Sequence, residues 1–261
     1  MKIKILNRIS KGLEDILNKD KKVFLFGEDI KDPYGGAFKV TAGLSKKFPK
    51  QIIQTPISEA GFVGIATGIT LKSNNVIVEI MFNDFLTLIT DILINTASKL
   101  PELKGKNNNL GKILIRTPGG GGRGYGPIHS QNLEKIFFGW PNIEVIAPNI
   151  ILDPYETLIS AYESKSTIKI FLENKLDYSK NILSKEELTN LGFNLKLISG
   201  GLKTSIVYNS EDDQLSDFFL LSYGGLTEKL IKASTKLLLE HELTSTIIIP
   251  SQISPLNEET L

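Results

Sequence analysis

The chain has 261 residues, 41% of them hydrophobic, with 30 Lys and Arg against 29 Asp and Glu. That is enough for one full α/β domain and a smaller piece, and the charge balance argues against a nucleic-acid-binding face or a polybasic membrane patch. With no cysteine, disulfides, thiolate catalysis and cysteine-ligated metals are excluded, which fits a reducing compartment and makes the cytoplasm the expected location.

Ile5, Leu6, Ile9, Leu13, Ile16 and Leu17 recur at helical spacing before a buried strand at Val23 to Phe26. Arg8, Lys11, Glu14 and Asp15 interrupt this segment, so it does not read as a targeting peptide. Further β-branched runs predict strands at Gln51 to Ile53, Val76 to Ile80, Lys112 to Ile115, Glu144 to Ile146 and Ile168 to Leu172. Between them, Phe82, Phe85, Leu86, Ile89, Leu93 and Ala97 form one apolar helix face, and Asp153-Pro154-Tyr155-Glu156 resembles a helix start with a cap at Asp153, a first-turn proline and Glu156 as the reciprocal acid. The apolar stretch Val76 to Leu100 carries Glu79, Asp84, Asp91 and Lys99, which rules out an uninterrupted membrane span there. Alternation of this kind predicts an α/β fold, a mainly parallel sheet with helices on both faces.

After Tyr178 the pattern weakens, and a linker is expected over 183–217. Phe218 to Ser222, Leu226 to Leu239 and Thr246 to Ile249 then read as the start of a second, incomplete α/β piece at 218–261. So small a unit must pack on the first domain or on another chain.

Two segments hold candidate chemistry. In Thr55-Pro56-Ile57-Ser58-Glu59-Ala60-Gly61 a strand gives way to a helix. Ser58 and Glu59 are a helix cap and a first-turn acid on one reading; on the other, Glu59 projects into a crevice at the carboxyl edge of the sheet. The run Gly119-Gly120-Gly121-Gly122-Arg123-Gly124-Tyr125-Gly126 leads to Pro127-Ile128-His129. It lacks the Gly-Lys-Ser/Thr of phosphate loops, and is either a surface loop or a close approach to a bulky ligand that presents His129 for proton exchange. Phe85 is core, or a ring face for a flat heterocycle with Met81 as an adaptable wall. Two distant histidines and scattered acids give no metal-ligand spacing.

Taken together, GED at Gly27 to Asp29, GGAFKVTAGL from Gly35, TPISEAGF from Thr55, VEIMFNDF from Val78, IRTPGGGGRGYGPIHSQ from Ile115 and FLENKLDY from Phe171 resemble the beta subunit of thiamine-diphosphate-dependent 2-oxo acid dehydrogenases. The match runs from about Val23 to Tyr178 and resumes weakly at LLSYGG and SPLNEETL. The resemblance implies a transketolase-like pyrimidine-binding domain over 1–182, with 218–261 as the truncated start of the following domain. It further implies that Glu59 hydrogen-bonds the pyrimidine ring nitrogen, promoting the imino tautomer that assists deprotonation of the thiazolium carbon. Phe85 would stack on the ring with Ile57 and Met81 beside it, Glu28 would join the cofactor site, and His129 would face the reacting carbon.

Magnesium and diphosphate would be held mainly by an alpha subunit, since no Gly-Asp-Gly segment with a downstream asparagine occurs here. The implied partners are that subunit, a second beta subunit, a lipoyl acyltransferase and a small 2-oxo acid. Departures from the family pattern lie at LPELKGKNNNLG, from Leu100, which bears on substrate identity, and after Leu261, where relatives continue. A split transketolase or acyloin-forming enzyme, and a noncatalytic assembly module, are the alternative readings.

Overall fold

The computed structural model describes residues 3–105, 109–198 and 202–256. In chain order its elements are α1 (Ile5–Lys19), β1 (Phe24–Gly27), α2 (Leu44–Lys47), β2 (Ile52–Gln54), α3 (Glu59–Thr70), β3 (Val76–Glu79), α4 (Leu100–Lys104), β4 (Ile113–Gly119), β5 (Ile143–Ile146), α5 (Pro154–Glu163), β6 (Ile168–Asn174), α6 (Lys185–Asn190), β7 (Asn194–Ile198), β8 (Thr204–Tyr208), β9 (Phe218–Leu221), α7 (Thr227–His241), β10 (Ser245–Pro250) and β11 (Gln252–Ser254). No helix among the described residues is long and apolar enough to cross a membrane.

β1 to β6 form a parallel sheet in the order β5-β6-β4-β3-β1-β2, with β11 added antiparallel beside β5. Successive side chains point to opposite faces, so each strand feeds two cores. Leu25, Ile77, Leu114 and Phe171 pack with Ile9, Leu13 and Leu17 of α1 and Leu158 of α5 on one face. Phe26, Val78, Ile115 and Ile170 pack with Phe62, Val63 and Ala66 of α3 on the other. Each fully buried aliphatic chain of this kind contributes about 1.5–3 kcal/mol through removal of apolar surface from water. The expected parallel sheet with helices on both faces is therefore present.

The apolar face expected from Phe82 to Ala97 is also present, but the winding is not that of a regular α-helix. Asn83–Ile89 is 3-10, Ile92–Thr96 is π and Ala97–Lys99 is again 3-10. Thr87 Oγ1 donates to Asp84 O, and Thr90 Oγ1 to Leu86 O. Such back-bonding competes with regular helix bonding and bends the segment. At the start of α5, Asp153 accepts from Tyr155 N as expected of a cap, whereas Glu156 pairs with Lys203 and does not reach back.

A bare linker over 183–217 is not what forms. That stretch holds α6, whose Ser184 and Glu187 make a reciprocal capping box, and the strands β7 and β8. β7 and β8 join β10 and β9 in a four-stranded sheet, β7-β8-β10-β9, with only β9 and β10 parallel. β8 is buried and bonds on both sides, which supplies the partners that a lone βαβ start would lack. β11 then crosses back to the large sheet, so the second sheet is tied to the first by backbone pairing.

Candidate active site

β1 has β2 on one side and β3 on the other, so strand addition changes direction at β1. The carboxyl ends of strands at such a point open a crevice in α/β sheets. Glu28 follows β1, Glu59 opens α3 after β2, and Met81, Phe82 and Phe85 follow β3. Ser58 has an extended backbone and makes no side-chain cap bond, so it does not act as the N-cap that its residue type suggests.

Glu59 is buried, with 6% of its surface exposed, and Glu28 is equally buried. Burial, reinforced by the charges of Glu59 and Asp29, pushes the Glu28 carboxyl up to about 7. Glu28 Oε1 is buried without a hydrogen-bond partner. A like charge nearby and loss of solvent both disfavour the ionised form, so Glu28 favours holding its proton.

The raised value has a consequence for stability. A carboxyl that keeps its proton longer when folded adds stability below its unfolded value, near 4.5, and loses it as pH rises through about 7. Glu28→Gln is expected to flatten this dependence and to raise stability at pH 8 by about 1–2 kcal/mol, measured by urea unfolding across pH 4–8. A variant with the slope of the parent would show that Glu28 is not the titrating group.

In the loop after β4, the His129 ring lies edge-on to Phe82 at 4.5 Å and to Phe85 at 5.5 Å, and those two phenylalanines are 6.0 Å apart. Edge-to-face packing of this kind fixes ring orientation. The loop that carries His129 is held at two points: Lys175 Nζ donates to His129 O, and Gln131 N donates to Asp84 Oδ1 at 3.2 Å. Gly120 has φ +85°, and a Cβ there would sit 2.8 Å from Asn174 Nδ2, so the glycine run is a close backbone approach to β6. Met81 and Phe85 are half-buried, whereas Ile57 is 84% exposed.

The structure thus brings His129 to Phe85, and Glu28 to Glu59.

Beneath these groups lies an array that the sequence reading missed. Arg116 of β4 donates from Nη1 to Glu79 Oε2 of β3 and from Nη2 to Glu173 Oε2 of β6, both at 2.8 Å, and its Nε is 2.7 Å from Glu173 Oε1. Tyr178 Oη donates to Glu173 Oε2 at 2.6 Å. Burial works to lower the guanidinium, but Glu173 and Glu79 outweigh it and Arg116 is raised. Burial also raises Glu79 against the pull of Arg116. At Gly36, with φ +80°, a Cβ would lie 2.7 Å from Glu79 Oε1, so the loop after β1 rests directly on this array. Phe82, Asp84 and Lys175 were likewise missed as site residues; their only signal was position, just past the ends of β3 and β6.

The family model described as "Transketolase, pyrimidine binding domain" matches residues 1–180. The chain belongs to the transketolase pyrimidine-binding domain family. Among curated relatives, it is 28% identical over 258 residues to the pyruvate dehydrogenase E1 component subunit beta-1, mitochondrial, of Arabidopsis thaliana, covering 98% of this chain and 68% of that one. It is 32% identical over 209 residues to the pyruvate dehydrogenase E1 component subunit beta of Rickettsia bellii, covering 79% and 63%. With the 2-oxoisovalerate dehydrogenase subunit beta 2, mitochondrial, of Arabidopsis thaliana the identity is 30%, covering 78% and 59%. The chain therefore spans about three-fifths to two-thirds of the length of these relatives.

Among solved structures, a split-gene transketolase described as an inactive beta4 tetramer superimposes with TM-score 0.69 at 16% identity, covering 98% of this chain and 73% of that one. A transketolase variant from Pichia stipitis gives TM-score 0.68 at 16% identity, covering 99% and 36%. These likenesses establish a transketolase-like fold.

Proposed function

We propose that this chain is the beta subunit of the first component of a 2-oxo acid dehydrogenase, the half that holds the pyrimidine end of thiamine diphosphate. The observation that carries the proposal is the joint presence, at the switch point of the sheet, of a buried carboxyl pair and an orthogonal Phe-His pair. The names of the pyruvate and 2-oxoisovalerate dehydrogenase relatives support the same reading. A heterocycle with ring nitrogens and an amino group suits this place, because Glu28 Oε1 is an acceptor without a donor and the Phe85 ring is partly open.

Glu59 would hold a proton at the pyrimidine ring nitrogen, with Glu28 as a neighbour able to share it. Phe85 and Met81 would wall the ring. His129, fixed by Phe82 and Lys175, would orient the 2-oxo acid and exchange a proton with the reacting substrate. When bound, the cofactor supplies the electron sink for decarboxylation. In this proposal magnesium and diphosphate belong to an alpha subunit, the site lies between chains, an α2β2 assembly forms in the cytoplasm, and a lipoyl acyltransferase takes the acyl group.

The test is to mix the full chain with the product of a neighbouring gene that carries the Gly-Asp-Gly segment, and to assay decarboxylation of pyruvate and 2-oxoisovalerate with an artificial electron acceptor. Turnover by the mixture with neither chain active alone is the expected result. No turnover, with no cofactor-dependent rise in melting temperature, would contradict the proposal.

A further inference from the structure

Where the segment after β9 meets the ends of β5 and β6 lies a cavity of about 350 Å³, inside the range of about 300–1,000 Å³ that small-ligand pockets occupy. None of Glu28, Glu59, Phe85 and His129 lines it, so it lies apart from those groups. Its walls are packed in place. Gly224, with φ +53°, rests on Ala147, and a Cβ at Gly225 would overlap Asn174 Nδ2. Tyr223 and Glu134 both line the cavity, and Tyr223 Oη donates to Glu134 Oε1. Burial and that bond raise the phenol, which therefore keeps its proton.

Two buried acceptors of the lining are left over. Glu134 is 6% exposed and Asn83 1%, and Glu134 Oε2 and Asn83 Oδ1 have no hydrogen-bond partner among the described residues. Nor does Glu134 take part in an ion pair among them. A desolvated carboxylate oxygen without a donor is unfavourable, and a cationic N–H removes that penalty through a charge-assisted hydrogen bond. The described residues offer no group of three or more His, Cys, Asp or Glu that could hold a metal ion, so an ammonium suits this carboxylate better.

The cavity is also lined by a cation. Lys229 is exposed, stands in the first turn of α7 and makes no ion pair among the described residues. A helix start carries partial positive charge, so a lysine there is set against it until an anion arrives. Glu228, the acid of that turn, is engaged by Lys180 and Lys232. Ala147, Leu172, Leu176 and Leu226 supply apolar wall.

We infer that this cavity binds a small aliphatic α-amino acid. Its ammonium would donate to Glu134 Oε2 and Asn83 Oδ1, its carboxylate would face Lys229 and the start of α7, and its side chain would lie on the leucines. Such a zwitterion answers both charges of the lining. A simple amine leaves Lys229 without an anion, and a simple acid leaves Glu134 without a donor. The inference stands on the cavity alone and goes beyond the function proposed above.

Direct binding tests this without turnover. L-leucine, isocaproate, which lacks the ammonium, and isoamylamine, which lacks the carboxylate, are titrated calorimetrically into the full chain and into the Glu134→Gln and Lys229→Gln variants. Saturable binding of leucine, with each analogue weaker by at least about tenfold, is the expected result. Glu134→Gln is expected to weaken leucine by about tenfold and Lys229→Gln by about threefold. Lys229 is exposed, so its variant reads the site even if Glu134→Gln fails to fold, which melting temperatures reveal. If leucine does not bind, if either analogue binds as tightly, or if a folded variant binds leucine as the parent does, the inference is overturned.

Discussion

Arg116→Met is expected to destabilise the chain by about 3–5 kcal/mol, the largest effect of any single change considered for this fold. Arg116 is 1% exposed and stands between Glu79 and Glu173, which are also buried. Removing the guanidinium leaves two carboxyls facing each other with Tyr178 as the remaining donor to Glu173. One or both must take up a proton or draw in water, and the loop at Gly36 that rests on Glu79 loses its floor. Urea unfolding at pH 7 measures the loss. Replacing Glu79, Arg116 and Glu173 together by apolar residues of similar volume is expected to recover most of it, because the cost comes from uncompensated charge. A single variant within 1 kcal/mol of the parent would show that the array is solvated and has little structural weight.

The second large effect concerns Glu59. Glu59→Gln keeps shape and burial but removes the carboxyl proton, so the fold is expected to be unchanged and, under the proposed function, turnover of the complex with an alpha subunit to fall by about 10²–10⁴. Steady-state assays with the alpha subunit in excess check this, with melting temperature as the control. A comparable loss from Ile57→Ala is not expected, since that side chain is 84% exposed. If Glu59→Gln retained full turnover, the chemistry assigned to this edge of the sheet would have to come from elsewhere.

How much of this was legible in the sequence follows from the kind of order involved. The parallel strands could be read because each is a short β-branched run between polar turns, as at Val76 to Glu79 and Ile168 to Leu172. β7 could not, because it is a partly exposed edge strand whose Asn194 and Lys196 face water and give no continuous apolar run. The winding of 83–99 was hidden for a different reason. Its apolar face is compatible with an α-helix, and the threonine back-bonds that alter the turn depend on side-chain rotamers.

The site divides in the same way. Glu59, Phe85 and His129, the residues of the proposed site, are carried by local motifs, TPISEAGF, VEIMFNDF and PIHSQ, and are proposed from them. Arg116, Glu79 and Glu173 lie 37 and 57 residues apart, and only the parallel pairing of β3, β4 and β6 makes them neighbours.

The claim on which the chemistry depends is that the Glu59 carboxyl governs a proton on the bound coenzyme. Exchange of the thiazolium carbon's proton for deuterium, followed by quenched-flow NMR in the alpha-beta complex without substrate, measures that directly. The parent complex is expected to exchange far faster than free thiamine diphosphate, and the Glu59→Gln complex slower than the parent by about 10²–10⁴. Equal exchange rates in the two complexes would contradict the assignment.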